Sequence, residues 1–430
     1  MLQRLHALES FGIKLGLANI TALCEALGHP ERAFRSIHVA GTNGKGSVTA
    51  MVHAALVASG IRAARYTSPH LVHLNERFVI GAAPVDDEEL ESSATRVLDV
   101  ADRLRADGAL SAPPTFFEAT TAIAFELFAR AGVEVAVLEV GLGGRFDATN
   151  VVTPVAGAIT TIGFDHQDQL GHTLGSIAFE KAGIVKPGMA LVIGELPPEA
   201  EDVVRRTAGE VGAPVMRARD GVSVATSLDD GRATLELRTT EHEYGRVPLA
   251  LRGEHQVENA LVAVRLLEAA RARGVPLAFD AIAAGLAGAE WPGRLERVEL
   301  EDGRSVLIDA AHNPDGAIAL ARYLARWHPD RPALVFAAMR DKDVEGVLRA
   351  LLPVTRLVVV TAPATSRAET PEALSARVRA VDPAREVLIE PDPAEAVSRA
   401  LERAPVACVA GSIFLAGAVR EALRGRAILP

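Results

Sequence analysis

"HVAGTNGKGSVTAM", residues 38–51, sets three glycines and one lysine within residues 41–46, between an apolar run and a helix-like one. Glycines in that position let backbone N–H groups turn inward, and the N-terminus of the following helix adds the positive end of its dipole. A lysine in such a loop reaches terminal phosphates, and a following Ser or Thr hydroxyl serves Mg²⁺. Gly41, Thr42, Asn43, Gly44, Lys45, Gly46 and Ser47 fit those roles in order, with Gly46 as a departure from the usual Lys-Ser adjacency. The stretch predicts a loop that cradles a nucleoside triphosphate inside a strand, loop and helix unit. Such units build α/β folds.

Outward from the loop, short apolar runs alternate with helix-length amphipathic segments, the pattern of mostly parallel sheets. "RSIHVAG" (35–41), "VEVAVLEVG" (133–141) and "VAGAITTIG" (155–163) read as buried strands. Between about 190 and 252 the texture becomes β-like alternation with a "DDG" turn, which predicts a small antiparallel addition. Trp291-Pro292-Gly293 ends a helical stretch and marks the expected boundary between domains 1–290 and 291–430. Beyond it "SVLIDA", "ALVFAAM", "RLVVVTA", "EVLIEP" and "PVACVAG" each precede a helix, enough for a Rossmann-like domain.

At 430 residues, two domains are the prior expectation. The net charge of −10 disfavours a nucleic-acid backbone or an anionic membrane surface, so any phosphate must be met by local groups. Two cysteines, Cys24 and Cys408, suit a reducing compartment. The N-terminal "MLQRLHALESFGIKLG" lacks a continuous apolar core and no later run is long enough to span a membrane, so the expected address is the cytoplasm. Of 45 basic residues, five are lysines: Lys14, Lys45, Lys181, Lys186 and Lys342. A chain this reliant on arginine keeps lysine for chemical reasons at some of these positions.

Ligands of open α/β sheets bind beyond the carboxyl ends of strands. There the sequence delivers Glu139, then Arg145 and Asp147, from one buried strand, and Asp165 and His166 from another. "YTSPHLVHLNER" (66–77) adds Ser68, His70, Asn75, Glu76 and Arg77. Together they predict a polar rim for ATP with a divalent metal, although a histidine is an unusual ligand for Mg²⁺. Lys181, in "SIAFEKAGIVKPG", is either a surface lysine near a helix end or a buried one; a buried amine of depressed pKa can take up CO₂ and become an oxygen ligand.

The ordered set GTNGKGS (41–47), TSPHL with NER (67–71, 75–77), TFFEATT (115–121), LEVGLGGRFDATN (138–150), DH (165–166), EKAGI (180–184), LRGEHQVENA (251–260), WPGR (291–294), DAAHNP (309–314), MRDKD (339–343) and GSIFLAGAVR (411–420) resembles the folylpolyglutamate synthase and dihydrofolate synthase family of the Mur ligase superfamily. The resemblance covers nearly the whole chain, and Ala337 stands where the family has glycine. It implies a Mur-ligase-like ATP domain followed by a Rossmann-like glutamate-ligase domain. It implies further that the loop with Lys45 holds the ATP phosphates, that Ser68 and Glu139 serve a first Mg²⁺, that His166 is a metal ligand, and that Lys181 is carbamylated. Asn259 matches an adenine contact; Arg294, Asp309 and His312 match residues that reach ATP from the C-terminal side; Thr115, Phe117, Asp147 and Ala148 match dihydropteroate contacts.

The implied reaction joins L-glutamate to dihydropteroate and to reduced folates through an acyl phosphate, by a monomer acting on small molecules. Two anions must meet, so catalysis is mostly positioning and charge neutralisation by Lys45, Mg²⁺ and arginines, with His312 as the candidate base. Closure about Trp291–Arg294 would exclude water. A tail-extending synthase alone, a peptidoglycan amino-acid ligase, a nucleotide switch and a small-molecule kinase are the competing readings.

Overall fold

The computed structural model describes residues 2–8 and 16–424. Lys14 and part of the N-terminal stretch lie outside the described residues. The chain divides into two compact units, one of residues 1–225, 235–249 and 258–289, the other of residues 226–234, 250–257 and 290–430. The second unit therefore takes two short excursions from the middle of the chain.

The first unit carries an eight-stranded sheet. Its strands are β1 (Arg35–Ala40), β2 (Ala63–Tyr66), β3 (Phe78–Ile80), β4 (Ala83–Pro84), β5 (Val135–Glu139), β6 (Ala156–Ile159), β7 (Ala190–Ile193) and β8 (Val215–Arg217), in the order β4-β3-β2-β5-β1-β6-β7-β8. The pairings from β2 through β8 are parallel, and β3 and β4 add an antiparallel edge. β5 is buried along its whole length, as an uninterrupted Val/Ala/Leu run covered on both faces must be. Register decides where the chemistry can gather: Val39 pairs with Glu139 and Ala40 with Ile159, so the carboxyl ends of β5, β1 and β6 lie side by side. Residues leaving those three ends share one rim.

The predicted antiparallel addition begins later than expected. Residues 190–217 continue the parallel sheet through β7, the helix Pro198–Glu210 and β8. The addition is a three-stranded sheet of β9 (Ser223–Asp229), β10 (Arg232–Arg238) and β11 (Glu243–Arg252), in the order β11-β10-β9. Asp230 and Gly231 join β9 to β10 with φ of 43° and 74°, the two positive values a tight hairpin turn requires.

In the second unit a six-stranded sheet runs β12 (Glu296–Glu299), β13 (Ser305–Ile308), β17 (Val406–Ala410), β14 (Ala333–Phe336), β15 (Val358–Val360), β16 (Val387–Ile389). β13 to β17 are the five parallel strands read from the sequence, and β12 is an antiparallel edge that the sequence reading missed. Helices Pro314–Trp327 and Val344–Leu351 bury Leu320, Leu324, Val347 and Leu348 in its core.

Candidate active site

The phosphate loop connects β1 to the helix Lys45–Ala58, and Gly44 caps that helix at φ 86°, in the left-handed region. A side chain is excluded here twice over, because a Cβ on Gly44 would come within 2.4 Å of Asn259 Oδ1. Gly41 is equally committed: at φ 148°, its Cβ would overlap Thr160 Oγ1. The loop is latched to the segment after β6. Asn43 N–H donates to Thr161 Oγ1 (2.9 Å), the Thr160 and Thr161 hydroxyls donate to Asn43 O (2.6 and 3.1 Å), and Gly163 N–H donates to Thr42 Oγ1 (3.0 Å). Sequence reasoning missed these two threonines, whose signal was a polar pair at the end of an apolar strand. Lys45 Nζ donates to Gly41 O at 3.1 Å and Thr42 O at 3.2 Å, while Ser47 is buried in the first turn.

Lys181 lies one residue from the end of the helix Leu174–Ala182, yet only 5% of it is exposed. The surface reading of this lysine is therefore wrong. Its Nζ donates to Gly41 O at 2.8 Å, so both lysines meet one carbonyl of the loop. Burial, reinforced by the Lys45 charge and opposed by Asp165 and Asp147, lowers its pKa to about 7. A lysine so poised is substantially a neutral amine near neutral pH.

Glu139 ends β5 almost fully buried and accepts a hydrogen bond from Ser68 N–H at 3.3 Å. The segment carrying Ser68 is organised by Glu76, whose carboxylate accepts from the N–H groups of Leu71, Val72 and His73, and by Arg77, whose Nε donates to His70 Nδ1 at 2.9 Å. His166 adopts φ 50°, unusual for a non-glycine residue, and its N–H donates to Asp165 Oδ1 at 2.9 Å. Among the described residues no three His, Cys, Asp or Glu side chains gather as a metal cage. Mg²⁺ does not need one, since it takes one or two carboxylate or hydroxyl oxygens and completes its shell with phosphates and water. Ser68 and Glu139 fit that requirement; Lys181 fits it only as an oxygen-bearing carbamate.

The loop after β5 is held from within. Asp147 Oδ2 accepts from the N–H groups of Gly141 (3.0 Å) and Leu142 (2.9 Å), and its Oδ1 accepts from Thr149 N–H (3.0 Å) and from the Thr149 hydroxyl. A carboxylate has about four acceptor positions, and all are engaged. Gly141 lies under the Phe117 ring, where a Cβ would come within 2.6 Å, and Phe117 in turn faces Tyr66 at 6.0 Å. Thr115 caps the helix Phe116–Arg130 in a reciprocal pair with Glu118, and Ala148 is buried. Arg145 pairs with Glu180 (2.6 Å), its guanidinium resting on Phe146 and Phe179.

In the second unit, Asp309 at the end of β13 accepts from Leu295 N–H and Ala311 N–H, both at 2.9 Å, and Leu295 sits at φ 47°. His312 Nδ1 lies 2.9 Å from Ala310 O; a carbonyl only accepts, so Nδ1–H donates to it and Nε2 is the other ring nitrogen. Arg294 and Asp309 both act electrostatically on His255, a residue the sequence reading did not single out.

Two family models match the chain, "Mur ligase middle domain" over residues 111–267 and "Mur ligase, glutamate ligase domain" over residues 293–416. The dihydrofolate synthase/folylpolyglutamate synthase of Bacillus subtilis is 37% identical over 352 residues, 81% of each chain. The protein of the same name from Mycobacterium tuberculosis is 40% identical over 374 residues, 84% of this chain and 76% of that one. A crystal structure of Mycobacterium tuberculosis folylpolyglutamate synthase, complexed with ADP and AMPPCP, superposes with a TM-score of 0.91 at 37% identity, covering 98% of this chain and 97% of that one. With its phosphate loop, its buried Lys181 and both ligase domains matched, the chain belongs to the folylpolyglutamate synthase/dihydrofolate synthase family of ATP-dependent Mur ligases.

Proposed function

We propose that this enzyme joins L-glutamate to dihydropteroate, giving dihydrofolate, and to reduced folates, extending their glutamate tail. The γ-phosphoryl group of ATP passes to the substrate carboxylate; the amine of glutamate then attacks the acyl phosphate, and inorganic phosphate leaves. The observation that carries this reading is the convergence of Lys45 and Lys181 on Gly41 O, inside a loop where Gly41 and Gly44 have no room for side chains. Lys45 and the N–H groups that open the helix Lys45–Ala58 bind the phosphates, and their charge offsets the repulsion between two anions. Ser68 and Glu139 would hold Mg²⁺, which when bound neutralises phosphate charge. We assign Asn259 to the nucleotide because it lines Gly44, and His166 with a carbamylated Lys181 to a second metal position.

As the family resemblance implies, we assign Arg294 and Asp309 to ATP, and we assign His312 to accepting the proton of the attacking amine. Phe117 supplies a flat wall for the pterin, flanked by Thr115 and Ala148; Asp147 contacts the pterin only if a ligand group replaces one of its four present donors. No helix among the described residues is long and apolar enough to cross a membrane. Two buried thiols and an ATP substrate favour the cytoplasm, and we propose a monomer.

The test is ADP release with ATP, Mg²⁺ and L-glutamate, supplied in parallel with 7,8-dihydropteroate or tetrahydrofolate, and products identified by mass. Turnover of both acids is expected. Turnover of tetrahydrofolate alone would reduce the protein to a tail-extending synthase, and silence with both would direct attention to muramyl substrates.

A further inference from the structure

Behind the loop that follows β5, two buried polar groups that the ligase reading does not use, His38 and Thr149, run up to Asp147. His38, on β1, is fully buried; its Nε2 lies 2.8 Å from Thr149 Oγ1, and Thr149 Oγ1 touches Asp147 Oδ1. His38 Nδ1 is buried with no hydrogen-bond partner. The Thr149 hydroxyl owns one hydrogen, so the directions of these two contacts are linked. If Asp147 is ionised, the hydroxyl donates to it and must accept from His38 Nε2–H, leaving Nδ1 as a bare lone pair. The reverse arrangement needs a protonated Asp147 and puts the imidazole proton on Nδ1, where it would be a buried donor with nothing to receive it. Orphaned N–H groups are costlier and rarer than under-used acceptors. Burial also lowers the His38 pKa to about 3, which keeps the ring neutral with a single N–H.

We infer that His38 and Thr149 are positioning residues for the ligase: a His38 Nε2–H to Thr149 to Asp147 chain fixes the carboxylate that turns the N–H groups of Gly141 and Leu142 inward, and so sets the floor under Phe117. The chain starts on the strand that ends in the phosphate loop and finishes at the loop between Glu139 and the aromatic wall. It ties the height of the acyl-substrate pocket to the strand holding the nucleotide. The functional half of the inference rests on the ligase reading, whereas the tautomer does not.

The experiment has two arms. Nitrogen NMR of the full-length enzyme carrying ¹⁵N-histidine, assigned with His38→Gln, is expected to give a neutral ring protonated on Nε2 from about pH 5 to about pH 8; protonation on Nδ1 would overturn the chain whatever the enzyme does. Kinetically, Thr149→Val and His38→Leu are each expected to raise KM for the pterin-bearing acid about tenfold. KM for ATP should stay within about twofold. The double variant should be no worse than either single one, because both cut one path. Thr149→Ser, which keeps the hydroxyl, and His38→Gln, which keeps an N–H near Nε2, should recover the parent values and remain informative if the larger changes prevent folding. Variants with a lowered melting temperature and parental KM values would overturn the positioning role. A parent enzyme that ligates neither acid would instead remove the ligase reading and leave the tautomer result standing.

Discussion

Replacing Lys181 with methionine removes a charge while keeping the length of the side chain, and its effect on stability follows from burial. The folded-state pKa is about 7, against 10.5 for the free group. The folded unit resists protonation that the unfolded chain accepts, so the cost is fully present below about pH 7 and disappears as pH rises towards 10.5. At pH 7 it amounts to roughly 4 kcal/mol, and by about pH 9 to roughly 2 kcal/mol. Losing the 2.8 Å bond to Gly41 O takes back about 1 kcal/mol at either pH. The variant is therefore expected to be the more stable protein at pH 7, its advantage shrinking by about 2 kcal/mol on going to pH 9. Urea unfolding in CO₂-free buffer, read by pulsed hydrogen exchange on peptides from 174–193, reports the unit that contains the lysine. An advantage that stays constant between the two pH values would refute the argument, because no proton would then be linked to folding at this site. Bicarbonate added at pH 8 should narrow the gap by stabilising the parent alone, since only the parent has an amine for CO₂ to join.

Gly44→Ala combines a left-handed φ of 86° with a Cβ 2.4 Å from Asn259 Oδ1, and should weaken binding of a non-hydrolysable ATP analogue at least about tenfold by calorimetry. Thr160→Val removes the hydroxyl that holds Asn43 O at 2.6 Å; KM for ATP should rise about fivefold, with a loss of stability below about 2 kcal/mol in thermal unfolding. Arg294→Ala should lower turnover more than it weakens ATP binding, and an unchanged rate with saturating substrates would count against its assignment. Glu139→Gln keeps the acceptor for Ser68 N–H but loses the charge, so a higher Mg²⁺ concentration should be needed for half-maximal ADP release.

What the sequence disclosed and what it withheld divide along the range of the interactions. The phosphate loop and the strands β1, β5, β6 and β13 to β17 are written in consecutive residues, because an apolar run followed by glycine and a helix can be read locally. The polar rim was legible for the same reason: Glu139 and Asp165 leave strands whose parallel register makes their ends neighbours. The Thr160 and Thr161 latch, the β12 edge and the excursions of residues 226–234 and 250–257 into the second unit depend on partners distant in the chain. Nor did the FDATN segment advertise its division of labour. The resemblance implies that Asp147 contacts the substrate; that its carboxylate also faces four donors of its own chain is visible only once the loop is closed.

The distribution of lysine makes sense in the same terms. Lys181 and Lys186 both have pKa values lowered by burial, and Lys181 shares the Gly41 carbonyl with Lys45. Two permanent cations on one carbonyl, one of them buried, would repel each other, and the nearby Asp165 and Asp147 offset that cost only in part. Arginine could not relieve it, since a guanidinium keeps its proton at any pH a protein survives, whereas an amine can release its own. Arg145, partly buried, and Arg77, buried, stand at positions of the same unit where a carboxylate or a basic nitrogen receives the charge, and there the chain uses arginine. Lysine is thus retained at 181 because this position requires a cation that can cease to be one. Lys181→Arg should accordingly be worse than Lys181→Met for the stability of the first unit at pH 7, and a more stable arginine variant would sink that explanation.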